Sequence, residues 1–271
     1  MEGIAGTKGA IFLEIGQGAN AQSIGGTPAV ANAKGSEALY WNPAGLAKLE
    51  GKEITTSYNS QFENNVRNGY IGATLKHSGL SITYLNISAI EERDDVGTKI
   101  SSFGSNSVAI CASYGKELSG KTSIGGSIKF INETIKGDAS TGGAIDLGIH
   151  YQLSPMTYLG ATLNNLGGKS AFEKENDPLP TNLKLAAAWN SHNLIVGAGV
   201  TISDYQELGI ATGVEYVLCP VALRVGADSF KPGYGITAGC GVNYQNLRFD
   251  YAFNPHSDLG DSHRVSLTLK Y

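Results

Sequence analysis

The chain has 271 residues and a formal net charge of −4, with 24 acidic against 20 basic side chains, a balance that excludes a polybasic nucleic-acid binder. Charged residues make up 16% of the chain and glycine supplies 36 residues; ordinary soluble domains carry roughly 25% charge and about 7% glycine, so something other than water is expected to face much of the surface. No apolar run approaches the roughly 18 residues that a helix needs to cross a bilayer, which excludes helical spans, and 41% hydrophobic content with so little charge excludes wholesale disorder.

The amino terminus, MEGIAGTKGAIF, lacks a basic stretch followed by an apolar core, so no signal peptide is read here and an exported protein would be in its mature form. Residues 1–50 are rich in small side chains (Gly16, Gly18, Gly25, Gly26, Ala19, Ala21, Ala29, Ala31, Ala33) and hold few β-branched ones. This composition reads as close-packed backbone. Pro43 suits the first position of a short helical turn with Asn42 as its cap. Tyr40, Trp41, Asn42, Pro43, Ala44 and Gly45 form the most distinctive motif of this segment, either as a gate or as a capped turn that locks it.

From about residue 52 onward, short stretches of strict alternation are separated by Gly, Asn, Asp, Ser and Pro clusters. Period two means strand. Leu208, Ile210, Thr212, Val214, Tyr216 and Leu218 share one face, and Gly209, Ala211, Gly213, Glu215 and Val217 the other. About fourteen such segments occur, near 52–60, 69–77, 79–88, 106–115, 121–132, 139–151, 156–164, 181–189, 192–202, 208–217, 219–229, 233–244, 246–253 and 262–271. Most have the length of a tilted strand crossing a bilayer, and the number is even, as in bacterial single-chain barrels.

A soluble sandwich also alternates, but the connections sort by length. Those at 61–68, 89–105, 133–138, 165–180, 203–207, 230–232 and 254–261 are read as the longer, external set, and those near residues 78, 153, 190, 219 and 245 as tight turns. That is the loop pattern of an outer-membrane barrel. Tyr58, Tyr70, Tyr84, Tyr114, Tyr151, Trp189, Tyr216, Tyr244 and Tyr271 fall near strand ends, where amphipathic rings favour the membrane interface. The expected fold is therefore all-β: a 14-stranded antiparallel transmembrane β-barrel (residues 51–271) with an N-terminal plug, or hatch, inside the lumen (residues 1–50). A lumen that wide exceeds what inward Gly and Ala can fill.

By parity Lys129, Asp146, His150, Lys184, Glu215, Arg224, Asp228, Arg248, Asp250 and Arg264 point inward. Lys184, Arg224, Arg248 and Arg264, beside Glu215 and Asp250, either receive the head group of an amphipathic ligand or pair with one another to rigidify the lumen and hold the plug. Asp258, Asp261 and His263 supply no full ligand set, Cys111, Cys219 and Cys240 show no metal-ligand spacing, and no nucleophile elbow or phosphate loop is found. No catalytic residue, metal or cofactor is assigned, and no enzyme is read.

Ala5–Ala19, Leu39-Tyr40-Trp41-Asn42-Pro43-Ala44-Gly45-Leu46-Ala47, Phe249–Phe253 and Asp258–Leu267 resemble the corresponding stretches of the PorV/PorQ family of outer-membrane proteins, within the broader FadL group. Asn20 and Gln22–Gly26 stand where that family has an arginine and a Gly-Met-Gly-Gly turn; if the arginine anchors the plug to lumen carboxylates, that anchor is absent. The end of the chain, Val265, Leu267, Leu269 and Tyr271, resembles the insertion signal of outer-membrane barrels. The resemblance implies a bacterial outer-membrane location, contact with outer-membrane lipid and the barrel-assembly machinery, and a hydrophobic or fatty-acid-like ligand that is bound or translocated. The alternative is a type IX secretion docking or shuttle protein whose external loops hold secreted partners.

Overall fold

The computed structural model describes residues 8–61, 66–172, 175–229, 235–255 and 261–271. Its strands are β1 (Lys52–Gln61), β2 (Val66–Leu75), β3 (Ser78–Arg93), β4 (Lys99–Ser119), β5 (Thr122–Ile135), β6 (Asp138–Gln152), β7 (Thr157–Leu166), β8 (Lys169–Phe172), β9 (Glu175–Pro178), β10 (Asn182–Asn190), β11 (Leu194–Ser203), β12 (Gly209–Leu218), β13 (Val221–Asp228), β14 (Ile236–Tyr244), β15 (Leu247–Asn254) and β16 (Ser262–Lys270). Successive wall strands pair antiparallel, β7 pairs directly with β10, and β1 pairs with β16 from Glu53↔Lys270 to Ser60↔His263. The sheet therefore closes as a fourteen-stranded barrel, and β8 with β9 forms a small hairpin against β6. Closure gives each of the fourteen wall strands a paired neighbour on both sides over the body of the barrel.

Alternation fixes which way each side chain points. Ile71, Leu80, Ile82, Leu185, Ile210, Leu223, Phe249, Val265 and Leu267 lie exposed on the outside, whereas Asn68, Asp146, Lys184, Arg224, Asp250 and Arg264 are buried inside. Such a belt of large apolar side chains is what a barrel presents to acyl chains. Leu269 is half-buried and Tyr271 exposed, and the Tyr271 and Lys52 backbones bond each other across the closing seam.

Three expectations are corrected. Residues 89–105 and 133–138 are not long loops: β3 and β4 continue as a hairpin to Asp94–Thr98, and β5 passes to β6 through Lys136 and Gly137. Both of these residues have positive φ, 53° and 99°, as a two-residue type I′ hairpin turn requires. Tyr70 is not interfacial. It points inward at 4% exposure and its hydroxyl donates to the Ser36 carbonyl at 3.0 Å.

Residues 8–50 form only short turns: 3-10 turns at Ile11–Glu14, Gly35–Glu37 and Pro43–Lys48, and single helical turns α1 (Ala19–Ser23), α2 (Ala29–Asn32) and α3 (Ala38–Trp41). Isolated turns of this length have no stability of their own; they persist here because the inner wall holds them. The segment follows that wall from strand to strand, and a glycine stands at most of the crossings. A Cβ at Gly239 would strike Ser23; at Gly226 or Gly213, Ile24; at Gly197, Pro28; at Gly160, Val30. The path resumes with Asn42 against Gly148, Pro43 against Gly125, and Pro43 with Ala47 against Gly115. Inward glycines thus let backbone lie on backbone.

Candidate functional site

The interior is organised around Asn42. Its side-chain oxygen accepts from the Ala44 N–H at 3.1 Å, capping the Pro43–Lys48 turn. Its amide nitrogen donates to the Val30 carbonyl at 2.9 Å and to the Ile149 carbonyl of β6 at 3.1 Å. One fully buried side chain therefore ties a turn, α2 and the wall together. Beside it, Trp41 Nε1 donates to the Gln17 carbonyl at 2.8 Å and the Tyr40 hydroxyl to the Leu13 carbonyl at 3.0 Å. Burial and the nearby Glu14 carboxylate hold the Tyr40 phenol well above its usual pKa, so it stays a donor. Pro43 and Ala44 are buried, and the backbone of Gly45 lies close enough to Ala33 that no Cβ fits.

The inward charges form two groups. On the β12–β16 side, Arg224 pairs with Glu215 and, at 2.8 Å, with Asp250; Arg248 reaches Asp250 at 2.9 Å and Glu37 of the N-terminal segment. Glu37 also accepts from Asn20 Nδ2 at 3.0 and 3.1 Å. Asn20 and Arg248 thus anchor this stretch through Glu37. Arg264 donates to the Gly16 carbonyl. On the other side Lys129 pairs with Asp146 at 2.7 Å, and Lys184 lies 4.0 Å from Glu14 and over the Tyr40 and Trp41 rings. Each of these cations faces a partner within the protein, the arrangement that burial demands of charge.

A polar node that sequence reasoning missed is Asn165. It sits at a register shift between β6 and β7, with φ 60°, and it accepts from Lys129 Nζ at 2.8 Å while donating to Glu14 and to the Pro180 carbonyl. The only sequence signal is the Asn164-Asn165 pair at a strand end, where an αL residue is tolerated.

Next to this node lies an apolar cluster. Phe12 and Leu13 pack with Leu85, Ala109, Ile131, Ala144 and Leu179. Two cavities inside the lumen are small: about 20 Å³ near Glu14, Trp41 and Lys184, and about 50 Å³ near Ile24, Glu37 and Glu215. A larger one, about 390 Å³, lies at the short-turn end between the N-terminal segment and β5–β7.

His263 faces outward and bonds the Tyr251 hydroxyl at 2.8 Å; Asp258 and His256 lie outside the described residues, as do Glu173 and Lys174. Among the described residues the three cysteines are free and no three metal-ligating side chains converge.

No family model matches the chain, and no curated protein matches it. Solved structures do. The Pseudomonas putida toluene transporter TodX is 15% identical over 94% of this chain and 97% of its own, with a TM-score of 0.64. What is shared is the fold. A Pseudomonas aeruginosa FadL homologue is 11% identical over 92% of this chain and 97% of its own, with a TM-score of 0.58. A TodX variant described as a monoaromatic hydrocarbon channel gives 0.63 at 15% identity, covering 94% of this chain and 98% of its own. The neighbours are thus FadL-type outer-membrane barrels of nearly the same extent.

Proposed function

We propose that this chain is an outer-membrane barrel that binds and passes hydrophobic or amphipathic compounds, with residues 1–50 as a plug inside the barrel of residues 51–271. The observation that carries the reading is the apolar patch on the inner wall, Leu85, Ala109, Ile131 and Ala144, which clusters with Ala10, Phe12 and Leu13 of the N-terminal segment and with Leu179. Burying Phe12 and Leu13 contributes roughly 1.5–3 kcal/mol each, so lifting residues 10–13 is uphill. A hydrophobic molecule filling the same patch offsets that loss, which links entry of the ligand to displacement of the plug. Barrels named for toluene and monoaromatic hydrocarbons share the fold, which fits such a ligand.

The finer assignment is to the PorV/PorQ type, supported by the Leu39–Ala47 motif and the central place of Asn42 within it. The outward run Val265, Leu267 and Tyr271 suits an insertion signal read by the barrel-assembly machinery. A second reading, docking of secreted partners as in type IX secretion, is favoured by the small cavities at the centre of the lumen and by the charged β3–β4 hairpin with Glu91, Glu92, Arg93 and Lys99.

Uptake of a hydrophobic dye by intact cells carrying the protein in the outer membrane separates the two. Transport predicts uptake above that of cells without the protein, and a further rise in Phe12→Ala. Equal uptake in all three, with proteins co-purifying from detergent extracts, replaces transport by docking.

A further inference from the structure

The cavity of about 390 Å³ at the short-turn end has a composition unlike the rest of the interior. Its floor is the N-terminal segment (Ala31, Ala33, Ala44 and Leu49), and its rim carries Lys34, Lys48 and Lys121, with His150, Gln152 and Tyr158 on the wall. No carboxylate lines it among the described residues. Deeper in the lumen every inward cation meets a partner, but here charge is left over. Lys34 has only the Tyr158 ring, 5.8 Å from its Nζ, and among the described residues neither Lys34 nor Lys121 makes an ion pair. Lys48 donates to the Gly120 carbonyl at 2.9 Å and lies 4.0 Å from Glu117, a partner outside the cavity. His150 is spoken for, since its Nε2 donates to the Val30 carbonyl at 2.7 Å.

Three ammonium groups around a small apolar floor form a focused positive field beside low-dielectric walls. We propose that this cavity receives the anionic head of an amphipathic molecule, paired by Lys34, Lys48 and Lys121, with the first methylenes of its chain against Ala31, Ala33 and Leu49. The site depends on the transport reading only for where its occupant comes from: a carboxylate-headed compound leaving the lumen, or a phosphate-headed lipid of the inner leaflet. Either source supplies the same chemistry, a compact anion on an alkyl chain, and a neutral head would leave the lysines unanswered.

The test is equilibrium binding to the whole protein in maltoside micelles, with dodecanoate, dodecyl phosphate, dodecanol and inorganic phosphate as probes. Dodecanoate or dodecyl phosphate should bind at least tenfold more tightly than dodecanol. A preference for the carboxylate assigns the occupant to cargo, and a preference for the phosphate to leaflet lipid. Lys34→Gln combined with Lys121→Gln, both exposed, should weaken that binding at least tenfold, while Lys116→Gln, on the outward face of β4 at the same end of the barrel, should not. Equal binding of dodecanol, full competition by inorganic phosphate at equal concentration, or an unchanged double variant would overturn the proposal. Dye uptake by cells is read separately: its absence with intact head-group binding sinks transport alone, and the converse sinks this site alone.

Discussion

The two sides of the lumen share glycine seats for the N-terminal segment but differ in what is added to them. Toward β12–β16, where Ser23 and Ile24 lie on Gly213, Gly226 and Gly239, an ionic network runs through Arg248, Glu37, Asp250 and Arg224. Toward β4–β7 the grip is steric, with the backbone of residues 42–47 laid on Gly115, Gly125 and Gly148 and pinned by Asn42. An ionic grip can exchange partners and re-form, whereas a backbone seat either fits or does not. The comparison therefore assigns the exchangeable part of the grip to the charged side and leaves registration of residues 42–47 to the glycines of β4–β6.

Breaking the ionic grip should have the largest effect. Arg248→Met leaves Glu37 and Asp250 without one of their cations in a closed space, a loss of about 3–5 kcal/mol for a broken buried pair. Native-state hydrogen exchange should show that loss at residues 16–37, with residues 42–48 still protected. Uniform loss across both stretches would mean that the segment opens as one unit and that the contrast is false. The steric grip is tested from the other direction by Gly125→Val, whose side chain would overlap the backbone of Pro43 and Ala44. Overpacking of this kind costs about 1–3 kcal/mol, and exchange should now rise at residues 42–48 first. Asn42→Ala is milder because the turn keeps its glycine seat. Losing the cap and two bonds to buried carbonyls should cost about 2 kcal/mol, read as lowered protection at Ala44 and faster protease cleavage after Lys48.

Much of this contrast was legible in the residues. Alternation in 208–218 placed Glu215 inside and Tyr216 outside, as the barrel has them, because one face of a wall strand carries the large apolar side chains and the other meets the lumen. The inward glycines were equally visible, but not what lies on them: the fit of Pro43 to Gly125 joins positions far apart in the chain, and no local pattern encodes such a pairing. Tyr70 was misplaced for a related reason, since a ring near a strand end is interfacial only if parity points it outward. Asn165 escaped because a bulge is an exception to the period that revealed its strand. The β3–β4 extension was hidden by its polar composition. Beyond the register shift at Ile87/Ile90, Glu91–Arg93 and Ser101–Ser102 meet water on both faces, so nothing selects alternation and the sequence reads as loop.

That water-exposed hairpin supplies the smallest effect. Lys136 at the β5–β6 turn pairs with Glu92 and lies 6.0 Å from the Phe103 ring, tying the tip of one hairpin to the side of the next. Both members of the pair are solvent-accessible, so Lys136→Gln should cost less than about 1 kcal/mol. Raising the salt to roughly 1 M, where the screening length falls to about 3 Å, should erase most of the difference from the unsubstituted chain. Exchange at Ser101–Phe103 measures it. A cost that survives high salt would show the ring contact, rather than the ion pair, to be what couples the two hairpins, and would bring this outer rim closer in character to the steric side of the lumen than to the ionic one.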